Sequence, residues 1–118
     1  MAKRLGEFEQ LLLFAVLRLD ADAYGARIAS EITRRTGRSV SPGAVYTVLD
    51  RLESAGLVSS HLAPGPSSRG GRRKKFYRLE PAGGVALHQS WSEIQRMARG
   101  VVDELQAFVR DEDPVEGA

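Results

Sequence analysis

From Leu87 onward an apolar side chain returns at steps of 4, 3, 4, 3, 4 and 3, at Leu87, Trp91, Ile94, Ala98, Val101, Leu105 and Phe108. This alternation sums to a seven-residue repeat, which keeps one stripe of a helix turned toward a single neighbour. Pro81 supplies a start, since its missing N–H and preset φ suit the first helical position. The pattern predicts one helix from Pro81 to about Arg110. At 1.5 Å per residue that helix is roughly 40 Å long, more than a chain of 118 residues covers with what remains of it. The seam calls for a second copy of the chain or for a helix folded back on its own domain, and the first accounts better for the length. Gly83, Gly84 and Gly100 lie inside the stretch and weaken it by about 1 kcal/mol each where interior. Packing has to hold it together. Four of the last eight residues, 111–118, are Asp or Glu, which reads as an acidic tail expected to be disordered.

Upstream, three short helices follow each other closely. Leu5, Phe8, Leu12, Ala15, Val16 and Leu19 recur at helical spacing, and Leu11, Leu13, Phe14 and Leu17 make the other sides apolar too. Leu11 to Leu17 is far shorter than the roughly 20 apolar residues of a membrane span, so it reads as buried helix. A second helix is expected to open at Asp22, whose carboxylate can cap free N–H groups, and to carry Tyr24, Ile28 and Ile32 inward until Gly37. Ser41 followed by Pro42 marks the third, which ends at Gly56. Short connectors between three helices give a helix-turn-helix core.

Two strands come next, Leu57–Leu62 and Lys75–Leu79, joined by a loop rich in Pro, Gly, Ser and Arg. The net charge is only +2, but it is segregated. Six of the ten residues from Arg69 to Arg78 are Lys or Arg and none is acidic. A basic run by itself is as well explained by a solubilising loop. Behind a three-helix core it becomes a wing, with Arg69, Arg72, Arg73, Lys74 and Lys75 placed to follow a phosphate line. The fold class expected is mainly α with a small β-hairpin: a winged helix-turn-helix plus a long C-terminal dimerisation helix. Residues 1–80 form the DNA-binding domain and 81–110 the dimerisation helix.

On the third helix Val45, Val48, Leu49 and Leu52 project within one arc and face the core, leaving Gly43, Thr47 and Asp50 opposite, flanked by Ala44, Tyr46 and Arg51. Small polar groups near a helix N-terminus suit a major groove about 12 Å wide. Thr47 can meet a thymine methyl or a base edge, Arg51 can reach backbone, and Tyr46 can donate to phosphate or simply cap the core. With no cysteine, and only His61 and His88 as histidines, neither a disulfide nor a thiolate metal site is possible, and a reducing cytoplasm suits the chain. No phosphate loop or paired-histidine motif appears. The chain is expected to be no enzyme, to hold no metal or cofactor, and to contact no membrane.

A set of residues carries a resemblance: Tyr24-Gly25, Gly43-Ala44-Val45-Tyr46 with Leu49, Arg51-Leu52-Glu53, Gly56-Leu57-Val58, and Gly71-Arg72 with Lys74 through Leu79. Together, over about residues 5–95, they resemble the PadR family of transcriptional regulators. The resemblance implies a winged helix with a C-terminal dimerisation helix, repressing its target from a palindromic operator in double-stranded DNA and released by a small aromatic or hydrophobic ligand. It also implies backbone contacts from Tyr24 and Tyr46, a close-approach glycine at Gly43, and a wing at Arg72 to Lys75. Trp91 resembles an aromatic often found on the dimer helix. Three positions depart from the family pattern: Ala44 replaces a threonine, Arg73 a wing proline, and Glu80 the threonine that caps the last helix.

The predicted DNA-binding set is thus Tyr24, Ser41, Gly43, Ala44, Tyr46, Thr47, Arg51, Arg69, Arg72, Arg73, Lys74 and Lys75. Homodimerisation is assigned to Leu87, Trp91, Ile94, Ala98, Val101, Leu105 and Phe108. Phe14, Trp91 and Met97 are the candidate lining of a ligand cavity, although Trp91 is equally well explained as interface packing. The competing reading is a winged-helix module for protein–protein contact, for which a wing this basic has no use.

Overall fold

The computed structural model describes residues 4–64 and 73–112. Helix α1 (Glu7–Leu19) starts where the buried Glu9 carboxylate accepts the Gly6 N–H at 2.8 Å. It buries Leu12, Leu13, Ala15 and Val16. The expected opening of the second helix at Asp22 is not what forms. Asp20, at φ 52°, turns the chain, Asp20–Asp22 make one 3-10 turn, and α2 (Gly25–Thr36) begins three residues later. The intervening residues are drawn into the sheet: Tyr24 bridges to Phe76, and the Tyr77 N–H donates to the Ala23 carbonyl at 2.8 Å. That pairing keeps Tyr24 extended and delays the helix.

Helix α3 (Pro42–Ser54) starts as its sequence dictates, with the Ser41 hydroxyl accepting the Ala44 N–H at 3.1 Å. At its other end Gly56, at φ 79°, lets Leu57 N–H reach the Leu52 carbonyl and Gly56 N–H the Glu53 carbonyl, both at 3.0 Å. Those two bonds satisfy the last carbonyls and place apolar Leu57 against the helix it follows. The hairpin pairs β1 (Val58–Pro64) with β2 (Arg73–Leu79), antiparallel, in a register running from Val58 opposite Leu79 to Pro64 opposite Arg73. Both strands extend further toward the loop than their apolar patterns indicate, because backbone pairing continues where side chains are already exposed. Phe76 and Tyr77 are buried.

The longest expected element is interrupted. Helix α4 (Pro81–Ala98) is followed by extended Arg99, Gly100 at φ 91°, and then α5 (Val102–Glu112). A left-handed backbone at Gly100 ends α4 without the strain a side chain would add. The start of α4 is fixed by close packing. A Cβ on Gly83 would sit 2.1 Å from the Leu57 carbonyl oxygen, so only glycine lets this first turn lie against the base of β1. Glu80 makes no side-chain cap; its N–H donates to the Leu57 carbonyl at 3.0 Å and its carboxylate accepts the Ser59 hydroxyl at 2.6 Å. Ser90 Oγ accepts the Leu5 N–H at 3.0 Å, tying α4 to the approach of α1. The core lies between α1, α2, α3, the base of the hairpin and the first half of α4.

Candidate nucleic-acid interface

Val45, Leu49 and Leu52 anchor α3 in the core, with Val48 partly buried beside them, so Gly43, Ala44, Thr47 and Asp50 face solvent. Thr47 Oγ1 donates to the Gly43 carbonyl at 3.0 Å. That bond occupies the hydroxyl proton and leaves the oxygen as an acceptor. Ser41 is exposed, its hydroxyl engaged in the cap. Tyr46, 37% exposed, lays its ring over the first turn of α2, where a Cβ on Gly25 would stand 2.3 Å from Cζ and 2.6 Å from the hydroxyl oxygen. The Gly25 position is therefore a packing requirement linking α2 to α3, and its pairing with a tyrosine far along the chain gives no local sequence signal.

The base of the wing is an aromatic stack on which one cation rests. Tyr24 meets Phe76 edge to face at 5.4 Å, His61 stacks on the other strand at 5.8 Å from the same ring, and Lys74 Nζ sits 5.1 Å from the Tyr24 ring centre. Arg73 is exposed at the outer end of β2, with Nη2 donating to the Leu62 carbonyl at 3.4 Å. Lys75 turns inward, 3.7 Å from Glu53, whose carboxylate also accepts the Ser60 hydroxyl at 2.7 Å. Arg51 is likewise engaged, its Nη2 lying 3.4 Å from the buried Glu9 carboxylate on α1. Sequence reading did not find the Glu9 and Glu53 partners, which lie 42 residues and 22 residues from the cations they hold. Arg69 and Arg72 lie outside the described residues, as does the tail from residue 113.

Beneath α3, Tyr77 is 2% exposed, and its hydroxyl has no hydrogen-bond partner among the described residues. Burial, reinforced by the charges of Asp50 and Glu53, pushes this phenol up to about 12.

A winged helix-turn-helix with this arrangement agrees with the sequence comparisons. A model of the transcriptional regulator PadR-like family matches residues 13–89, most of the chain. The chain belongs to the PadR-like family of transcriptional regulators. It is 36% identical over 83 residues to transcriptional regulator Rv3488 of Mycobacterium tuberculosis, a match spanning 70% of this chain and 73% of that protein. A PadR-like regulator from Bacillus cereus, BC4206, superposes with a TM-score of 0.68 at 20% identity, covering 84% of this chain and 91% of the other. A PadR family regulator from Clostridium difficile R20291 gives 0.63 at 26% identity, covering 83% and 98%. PadR-like proteins regulate transcription through DNA and are not enzymes, and both statements hold for this chain.

The PadR-like chain carries a second surface on its C-terminal helices. Leu87, 4% exposed, belongs to the chain's own core, and Ala98 is half-buried. Trp91, Ile94, Val101, Leu105 and Phe108 are exposed, together with Val102 and Val109. Phe14 meets Trp91 edge to face at 6.2 Å, whereas Met97 is 81% exposed near the end of α4. A cavity of about 150 Å³ between α1 and α2 is lined by apolar Leu11, Phe14, Ala15 and Ile32 together with polar Arg18, Glu31, Arg35 and Thr36; Trp91 and Met97 do not line it. Among the described residues no helix is long and apolar enough to cross a membrane, and no three His, Cys, Asp or Glu side chains gather as a metal site requires.

Proposed function

We propose that this PadR-like regulator is a cytoplasmic repressor that binds a palindromic operator in double-stranded DNA as a homodimer. In this reading residues 1–80 are the DNA-binding unit. The exposed N-terminal half of α3, with Gly43, Ala44, Tyr46 and Thr47, enters the major groove, while Tyr24, Arg69, Arg72, Arg73 and Lys74 hold the flanking phosphates. Arg51 and Lys75, each already beside a carboxylate, contribute by keeping α3 and the wing in register. Residues 81–110 are the dimerisation unit. Occupancy of the operator then blocks transcription sterically, and a small aromatic or hydrophobic ligand beside Phe14 and Trp91 releases it.

The observation that carries the reading is the division of labour on one protomer. Small polar residues are exposed on α3 beside a basic hairpin, and large apolar ones are exposed on α4 and α5. A monomer rarely leaves so continuous an apolar surface open, and a second copy of the same two helices covers it. Selection of bound sequences from random duplex DNA tests this directly. A palindrome establishes DNA binding, specificity and dimer symmetry together, and enrichment of nothing refutes the reading. Titration of planar aromatics, followed by tryptophan fluorescence of wild type and Trp91→Ala, tests the ligand. Quenching by none of a broad panel removes that element.

A further inference from the structure

Asp50 is a carboxylate on the exposed side of α3, seven residues on from Gly43 and three from Thr47. At 3.6 residues per turn it shares their column, about 10 Å along the axis from Gly43. The other carboxylate on the helix, Glu53, is occupied by the Ser60 hydroxyl and Lys75. Asp50 has neither a hydrogen bond nor an ion pair among the described residues. Every other carboxylate within α1, α2 and α3, at Glu7, Glu9, Glu31 and Glu53, is hydrogen-bonded, so an unengaged acid here stands apart. On a surface meant for phosphates, an unpaired negative charge weakens binding to every duplex unless some sequence offers it a proton donor.

We infer that Asp50 selects for cytosine in the major groove by accepting a hydrogen bond from the N4 amino group. The inference rests on the proposal that α3 docks in that groove and extends the contact past its N-terminal half, along the same exposed column, to Asp50. An ionised carboxylate can only accept. The groove edges present N7, O6 and O4 as acceptors, and only cytosine N4 and adenine N6 as amino donors. Adenine places N7 beside its amino group, where a second acceptor is repelled, whereas cytosine has only a C–H there. Asp50 therefore penalises guanine and thymine strongly, adenine less, and favours cytosine. It is a specificity residue that lowers affinity for random DNA at the same time.

Sequences are selected from random duplexes with wild type, Asp50→Asn and Asp50→Ala. Wild type should enrich cytosine at one position of its site. Asp50→Ala should lose that preference and no other, while binding non-specific duplex more tightly. Asp50→Asn, which gains an amide donor, should shift the same position toward adenine. In the selected site, replacing that cytosine by pyrimidin-2-one, which lacks the N4 amino group, should weaken wild type tenfold or more and leave Asp50→Ala unchanged. Identical preferences in wild type and Asp50→Ala, or equal losses with pyrimidin-2-one in both, overturn the inference while leaving DNA binding intact. A wild type that enriches no sequence removes the docking proposal as well.

Discussion

Replacing Gly83 by alanine should destabilise the protein, although helix propensity alone says the opposite. Inside an exposed helix the exchange stabilises by about 1 kcal/mol. At Gly83 the new Cβ falls 2.1 Å from the Leu57 carbonyl oxygen and 2.8 Å from Leu79 Cδ1, where real contacts stay beyond 3.0 Å. About 1 Å of separation must open between α4 and the start of β1, and the nearer obstacle is backbone, which cannot rotate aside. Overpacking of this kind costs about 1–3 kcal/mol, and stretching the adjacent bond from Glu80 N–H to the Leu57 carbonyl adds about 1 kcal/mol. With the propensity gain subtracted, a net loss of about 2 kcal/mol is expected. Gly84 is the control, since its Cβ meets nothing nearer than Leu79 Cδ2 at 3.8 Å; Gly84→Ala should stabilise by about 0.5–1 kcal/mol. Urea midpoints at one protein concentration, with unchanged m-values, report both differences. A Gly83→Ala protein as stable as wild type refutes the close approach and the seating of α4 built on it.

Tyr77→Phe should leave stability at pH 7 unchanged or slightly raised, because the buried hydroxyl has no partner to lose among the described residues. Since the folded phenol is pushed up to about 12 from an ordinary 10, wild type should keep its full stability below pH 10 and lose roughly 3 kcal/mol as pH rises through 12; Tyr77→Phe, compared by urea midpoints, should lack that part of the alkaline decline. Alanine at Arg72, Arg73, Lys74 and Lys75 should weaken binding to all duplexes alike and flatten the salt slope by about 0.9 for each phosphate no longer neutralised; an unchanged slope in a salt titration contradicts the wing assignment. Leu105→Asp, at an exposed position of α5, should leave the protomer folded but shift sedimentation toward monomer, and DNA affinity should fall with it. Wild type sedimenting as monomer at micromolar concentration contradicts the dimer.

The features legible in the sequence are those decided within a few residues. Ser41-Pro42 and Gly56 bound α3 because capping depends on local backbone, and the apolar arc of Val45, Leu49 and Leu52 turns the same helix correctly. Asp22 misled because it is a good cap locally, whereas Tyr24 is claimed by Phe76, 52 residues later, in a bridge that no local pattern reports. The seven-residue repeat runs unbroken through Gly100 as a pattern, yet the chain breaks there, because the repeat counts side chains while the break belongs to backbone with φ 91°. Arg51 and Lys75 look like free cations in the sequence, and only folding brings Glu9 and Glu53 to them.

The bridge between Tyr24 and Phe76 also fixes a distance. Because the start of α2 is stitched to β2, and Tyr46 presses α3 onto that same first turn, the hairpin and the helix proposed to enter the groove are held like the two jaws of a caliper set at one opening. Their spacing is set inside the protomer before any duplex arrives. Exchanging the loop between Pro64 and Arg73 should therefore leave that spacing unchanged, whereas a substitution at Phe76, the residue that Tyr24 bridges, should shift it.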